Sequence, residues 1–267
     1  MTLDRAVEAT VKRDRIVVLG ALALVIAISW AYLLAGAGMD MTALESTRLT
    51  SGRGMAKMMP AAWDIGYAGV MFVMWWIMMI AMMLPSATPM ILLFAAVNRK
   101  QKEKGNLYVA TALFASAYLI VWAGFSIVAV ALQWRLEVLT LLSPMMISAS
   151  VFLGAGVLLA AGIYQLTPFK QACLKYCRSP LQFIMTRWRG GEVGAFRMGV
   201  EHGAYCVGCC WFLMGLLFFG GVMNLYWIIG LAVFVLIEKT VPTGYWFSSA
   251  VGVVLILCGV VVLLDAV

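Results

Sequence analysis

Histidine occurs once in this chain of 267 residues, and charged side chains make up only 12% of it. One histidine excludes a His-rich dicopper or di-iron site built within the chain. It equally excludes bis-histidine haem ligation within one subunit. No Ser–His–Asp arrangement can be argued from it either. The scarcity of charge excludes something larger. Soluble domains carry about 25% charged and about 45–50% apolar residues, whereas apolar residues here reach 64%. The composition predicts an all-α polytopic transmembrane helical bundle, a single integral membrane domain over residues 1–267. No soluble domain large enough to bury its own core is expected beside it.

Apolar runs set the spans. Ile16–Gly38 reads as the first, Ile65–Val97 as a longer second with Pro85 and Pro89 inside it. Leu107–Leu132, Ser143–Leu166 and roughly Gly199–Gly220 follow. Asn224–Ile237 is short for a crossing that needs about 20 residues. It either borrows Gly220–Met223, tilts, or re-enters. Pro242-Thr-Gly then precedes Tyr245–Leu264. Seven spans are expected, or six if the short segment does not cross. Met1–Arg15 is too polar and too mixed in charge for a signal peptide. The net charge of +7 does not indicate nucleic acid, because its placement has another reading. Fourteen lysines and arginines fall on the side holding residues 1–15, 98–106 and 167–198, against four on the other. The positive-inside rule makes the richer side cytoplasmic. Residues 1–15 are then a cytoplasmic tail, 39–62 an extracytoplasmic loop and 167–198 a cytoplasmic segment.

Half of the six cysteines lie beside the one histidine, in His202-Gly-Ala-Tyr-Cys206-Val-Gly-Cys209-Cys210. At about 100° per residue, His202, Cys206, Cys209 and Cys210 share one face of a helix spanning about 100°. Thiolates with an imidazole suit Cu(I) or Zn(II) and suit Mg(II) or Ca(II) poorly. Cysteine is also an ordinary small core residue, so packing is the competing reading. A cytoplasmic position at the start of the fifth span would keep these thiols reduced. Cys173 and Cys177 either join them or sit on an amphipathic interfacial helix. Cys258 reads as packing. The stretch Arg187-Trp-Arg189-Gly-Gly lacks the G-x-x-x-x-G-K-[ST] phosphate loop and reads as a tight turn entering the fifth span.

Nineteen methionines are a heavy load. Met71, Met74, Met78 and Met82 step by three and four along one helical face, with Met79 and Met83 beside it. A thioether binds Cu(I) without losing a proton, so Met74, Met78, Met82 and Met83 are candidate ligands. Core filling is the plainer alternative for such a stripe. Met39, Met41, Met55, Met58 and Met59 gather around Asp40, Glu45 and Asp64 in the outer loop, where they would suit metal capture or lie on the bilayer. Glu238 could orient the imidazole through a hydrogen bond, or form an interfacial pair with Lys239. Asp64 and Glu137 read as solvated caps.

Two segments carry a family likeness: Trp76-Ile-Met-Met-Ile-Ala-Met-Met-Leu-Pro85-Ser-Ala-Thr-Pro89-Met90, and Trp188 to Met214, containing His202, Cys206, Cys209 and Cys210-Trp211. With Gly221–Asn224 and Glu238-Lys239 they resemble the bacterial predicted metal-binding integral membrane protein family (domain of unknown function 2182). The likeness extends from about Trp63 to Lys239. It implies a multi-pass protein of the bacterial inner (cytoplasmic) membrane with a copper-chaperone role and a cuproenzyme partner, and no established enzyme activity. The carry-over falls on His202, Cys206, Cys209 and Cys210, and on Met78, Met82, Met83 and Glu238. Cu(I) handling, by chaperone or transport, is therefore the leading expectation, with zinc as the other metal. A membrane thiol oxidoreductase using Cys206, Cys209 and Cys210 is one alternative. A structural or assembly subunit of a membrane complex is the other.

Overall fold

A computed structural model describes residues 2–39, 42–51, 63–100, 107–143, 146–241 and 244–265. Within them the chain is helical apart from turns and one isolated bridge between Leu142 and Ser148. The order is α1 (Thr2–Leu34), α2 (Ala43–Ser51), α3 (Ile65–Lys100), α4 (Leu107–Val138), α5 (Val151–Leu166), α6 (Pro168–Arg178), α7 (Pro180–Arg187), α8 (Gly191–Gly215), α9 (Leu217–Gly220), α10 (Leu225–Thr240) and α11 (Gly244–Leu264).

Five stretches are long and apolar enough to cross a membrane: Arg13–Leu34, Ile65–Arg99, Tyr108–Val138, Gly191–Gly220 and Trp246–Leu264. A sixth arises if α5 and α6, bent by 66° at Thr167, count as one span. The bend has a local cause. Pro168 supplies no N–H, and Thr167 caps the new helix by accepting from the Lys170 N–H. Two expected boundaries move. Ser150 caps α5, so residues 146–150 lie outside the helix rather than forming part of the fourth span. Asn224 caps α10, and Gly221 at φ 95° turns the chain just before it, so α10 does not borrow Gly220–Met223. It remains 16 residues, about 24 Å long.

α3 is the centre of the bundle. Two thirds of its most apolar window is buried, against about a fifth for α1 and α11. It runs through Pro85 and Pro89 without a break and packs against α1, α4 and α10. Met71, Met74, Met78, Met79, Met82 and Met83 are all buried along it. α4 pairs with α8, and α5 with α11, through glycine. A Cβ on Gly199 would lie 2.3 Å from the Phe114 carbonyl oxygen, and one on Gly203 2.9 Å from Val121 Cβ. This four-residue spacing of small residues lets two backbones close in a bilayer. Gly199→Ala should therefore cost about 1–3 kcal/mol through overpacking. The thermal midpoint of the detergent-solubilised protein checks this, with Gly156→Ala, which meets open space, expected to be neutral.

At the end of α3 near Ile65, Asp64 caps the helix by accepting from the Tyr67 N–H. Glu137 is no solvated cap. It accepts from Trp63 Nε1 (2.7 Å) and from Gln133 Nε2 (2.9 Å), and Gln133 in turn accepts from Trp75 Nε1 (2.8 Å). The buried Gln133 amide thus locks α3 to α4 and also reaches Met71 Sδ at 3.6 Å. Nearby, α2 begins with a capping box in which Glu45 accepts from the Thr42 N–H. That bond holds the Glu45 carboxyl below its ordinary range. Thr47 Oγ1 accepts from the Leu225 N–H and ties α2 to the start of α10.

Candidate metal centre

α8 begins eight residues earlier than hydropathy alone predicts, so the tight turn is confined to Trp188–Gly190. His202 is the twelfth residue of the helix, about 16 Å along it, rather than at its start. Glu201 marks the rim. Arg189 pairs with it at 2.9 Å and Arg187 at 3.9 Å. Below that rim the expected face turns inward, and His202, Cys206, Cys209 and Cys210 are all buried.

The three cysteines of α8 do not point alike. Cys209 and Cys210 each turn their thiol back to donate to the Cys206 carbonyl, at 3.1 and 2.8 Å. Their sulfurs then meet different partners. Cys209 Sγ stands 4.0 Å from Cys177 Sγ on α6, and Cys210 Sγ stands 4.0 Å from Met83 Sδ on α3. Cys206 Sγ lies 3.1 Å from the Tyr118 hydroxyl on α4 and accepts from Lys239 Nζ on α10 at 3.0 Å. Lys239 also donates to Ser86 Oγ at 3.2 Å, and Tyr118 donates to the Met83 carbonyl at 3.3 Å. Five helices thus converge on one patch of sulfur.

A zinc–thiolate bond of about 2.3 Å serves as a ruler. Two sulfurs sharing one ion then stand about 3.8 Å apart at a tetrahedral angle and about 4.6 Å apart in line. Both observed sulfur pairs fall in that interval. Among the described residues no three His, Cys, Asp or Glu side chains are arranged to hold one ion. The sulfurs are poised as pairs, and a rotation of Cys209 and Cys210 off the Cys206 carbonyl is what would bring more of them together. The donor set fits a soft ion, being almost wholly sulfur in a water-poor interior. A further fit is the His202 ring, stacked at 6.1 Å from Phe114 and 5.7 Å from Tyr118, with Phe183 edge-on at 5.6 Å. Its Nδ1 is buried with no hydrogen-bond partner among the described residues, which is rare for a buried polar atom.

Several predicted site residues stand elsewhere. Glu238 is not an imidazole acceptor. Its carboxylate pairs with Lys170 Nζ at 2.7 Å, both side chains fully buried, while its carbonyl accepts from Arg178 Nε. Lys170 also donates to Gln165. Glu238 and Lys239 are therefore two buried charges facing different partners, not an interfacial pair. Met74, Met78 and Met82 are core residues of α3; Met83, in the row beside them, carries the contact to a cysteine. Cys173 lies against Gly208, and Cys177 joins the cluster. Cys258 is exposed on α11 rather than packed. Met39 is partly buried, while Asp40, Met41, Met55, Met58 and Met59 lie outside the described residues. Sequence reasoning missed Tyr118, Ser86 and Lys239. A lysine within an apolar run is the signal that could have found the last.

Among curated proteins and among solved structures, no match was found. A family model described as PpoB2, copper chaperone, matches residues 72–262, which is more than two thirds of the chain. The matched region runs from α3 into α11 and includes every residue of the sulfur patch. With the soft-donor cluster at the convergence of five helices inside it, this match over more than half of the chain places the chain in the PpoB2 copper-chaperone family.

Proposed function

We propose that this protein holds Cu(I) on the sulfur cluster around α8 and hands it to a partner cuproenzyme, from within the bacterial inner membrane. In this reading the N-terminus is cytoplasmic and the chain crosses seven times, with α10 as the short crossing. Fourteen basic residues against four support the orientation. The observation that carries the proposal is the pair of sulfur separations, Cys177–Cys209 and Cys210–Met83, each 4.0 Å. Thiolate and thioether together favour copper in its soft, monovalent state, and the family description points the same way. Cys206, with His202 beside it, completes the donor set, and Met74, Met78 and Met82 extend it along α3 as exchangeable soft sites. The reading assigns no catalytic step.

Anaerobic titration of the full-length protein in detergent, under reducing conditions, tests it. About one Cu(I) per chain should bind and should resist a chelator of micromolar affinity. No Cu(I) binding by correctly folded protein overturns the proposal. Recovery of a Cys177–Cys209 disulfide that a quinone forms, with no copper bound, would replace it with the thiol oxidoreductase reading.

A further inference from the structure

A soft-metal site has no evident use for a lysine, yet Lys239 is almost fully buried at the heart of this one. Its neighbour Glu238 does not neutralise it, because that carboxylate is taken by Lys170 at 2.7 Å. Arg178, the next cation, is engaged with the Glu238 carbonyl. What Lys239 Nζ touches is the Ser86 hydroxyl at 3.2 Å and Cys206 Sγ at 3.0 Å. Tyr118, His202, Cys177, Cys209 and Cys210 are the other ionisable groups around it. A lysine ammonium in a water-poor interior is retained where an anion balances it, and among these neighbours the candidates for that anion are thiolates.

Charge counting then constrains the loaded site. Cysteines bind metal as thiolates. One monovalent copper plus one ammonium is balanced by two thiolates, leaving the buried cluster neutral. A divalent zinc in the same two-thiolate site leaves one positive charge stranded, which a buried environment strongly disfavours. Without Lys239 the order inverts: zinc with two thiolates is neutral, and copper with two thiolates is anionic. We infer that Lys239 is the resident counter-ion of a two-thiolate Cu(I) site and sets its preference for monovalent copper over divalent zinc. The inference rests on the reading of the sulfur cluster as the Cu(I) site. Lys239 acts through Cys206 and is a positioning and selectivity residue rather than a ligand. Ser86 fixes its head group, so that the ammonium stays beside the sulfur.

The test is a pair of anaerobic competition titrations, Cu(I) and Zn(II), on the full-length protein and on Lys239→Leu, Lys239→Gln and Lys239→Arg. Both neutral variants should bind Cu(I) more weakly, on the order of 10- to 100-fold, as expected for losing a charged hydrogen-bond donor to a buried anion. The same two variants should bind Zn(II) more tightly. Lys239→Arg keeps the charge and should keep the wild-type preference. Two neutral variants are used so that a folding failure of one leaves the other to decide. If both metals weaken together, as loss of packing would cause, or the ratio stays put, Lys239 is not the counter-ion. A wild-type protein that binds no Cu(I) overturns the copper-site reading along with it. Wild-type Cu(I) binding with an unmoved ratio overturns only the role of Lys239.

Discussion

Replacing Cys209 by serine, alone and together with Cys177→Ser, is expected to lower Cu(I) affinity at least a hundredfold, about 2.7 kcal/mol. Cys209 belongs to both the donor face of α8 and the sulfur pair with α6. A serine hydroxyl in its place can still donate to the Cys206 carbonyl, as the thiol does at 3.1 Å. The helix should therefore fold as before, and the change isolates the soft donor. An alcohol oxygen is a poor ligand for Cu(I), which favours thiolate and thioether. The double variant should be no more than a few-fold worse than Cys209→Ser, because the pair acts as one unit and its members are not additive. Cys258→Ser is the internal control, since Cys258 sits exposed on α11 and should leave affinity unchanged. The measurement is anaerobic competition against a colorimetric Cu(I) chelator. Full affinity in the Cys177/Cys209 double variant would remove this pair from the site.

The α8 donor face was legible in the chain because helical periodicity is local. Residues at spacings of three and four must share a side, and His202, Cys206, Cys209 and Cys210 are buried together as that spacing requires. The partners of that face come from other helices, and no single-helix period contains them. Cys173 and Cys177 either join that face or sit on an amphipathic helix as far as the chain alone tells, and no local period selects Cys177 as the partner of Cys209. Met83 belonged to the row beside the main methionine stripe, yet rotation of α3 against α8 is what selects it. Sequence alone offers Glu238 either as an acceptor for the imidazole or as the partner of its neighbour Lys239. On a helix adjacent residues point about 100° apart, and each found its own partner. Span ends were the least legible, because a hydropathy window does not register caps such as Ser150, Thr167 and Asn224.

Glu238→Gln is expected to be the most destabilising single change outside the sulfur cluster, at about 3–5 kcal/mol. Lys170 and Glu238 are fully buried, with 2.7 Å between their charged groups. Removing the carboxylate leaves an ammonium in a water-poor interior. Its remaining partners there are the neutral Gln165 amide and the Phe234 ring at 5.9 Å. The attraction that offset desolvation is lost while the desolvation remains. Removing both charges together, in Lys170→Met with Glu238→Gln, should recover most of the stability, since paired replacement of buried ions is often neutral. Unfolding of the solubilised protein by added denaturing detergent reports the difference. A Glu238→Gln variant as stable as wild type would mean that the pair contributes little. Any folded fraction should still bind Cu(I), because the contacts of the two charged groups are to each other, Gln165 and Phe234 rather than to a sulfur.

The two prolines of α3 have a mechanical consequence. Pro85 and Pro89 bring no N–H groups, so the carbonyls of Ala81 and Pro85 lose their rungs in the helical ladder. Ser86 and Thr88 hydroxyls bond instead to the carbonyls of Met83 and Leu84, within the same turns. Stiffness along α3 is therefore lowest between residues 81 and 89, the stretch that carries both Met83 and Ser86. By contrast, α4 and α8 are clamped backbone to backbone at Gly199. A small change in the curvature of α3 alters the Met83–Cys210 gap while that clamp stays shut. Flexing α3 is thus a coordinate, beside rotation of Cys209 and Cys210, along which the sulfur patch can tighten on an ion or let it go.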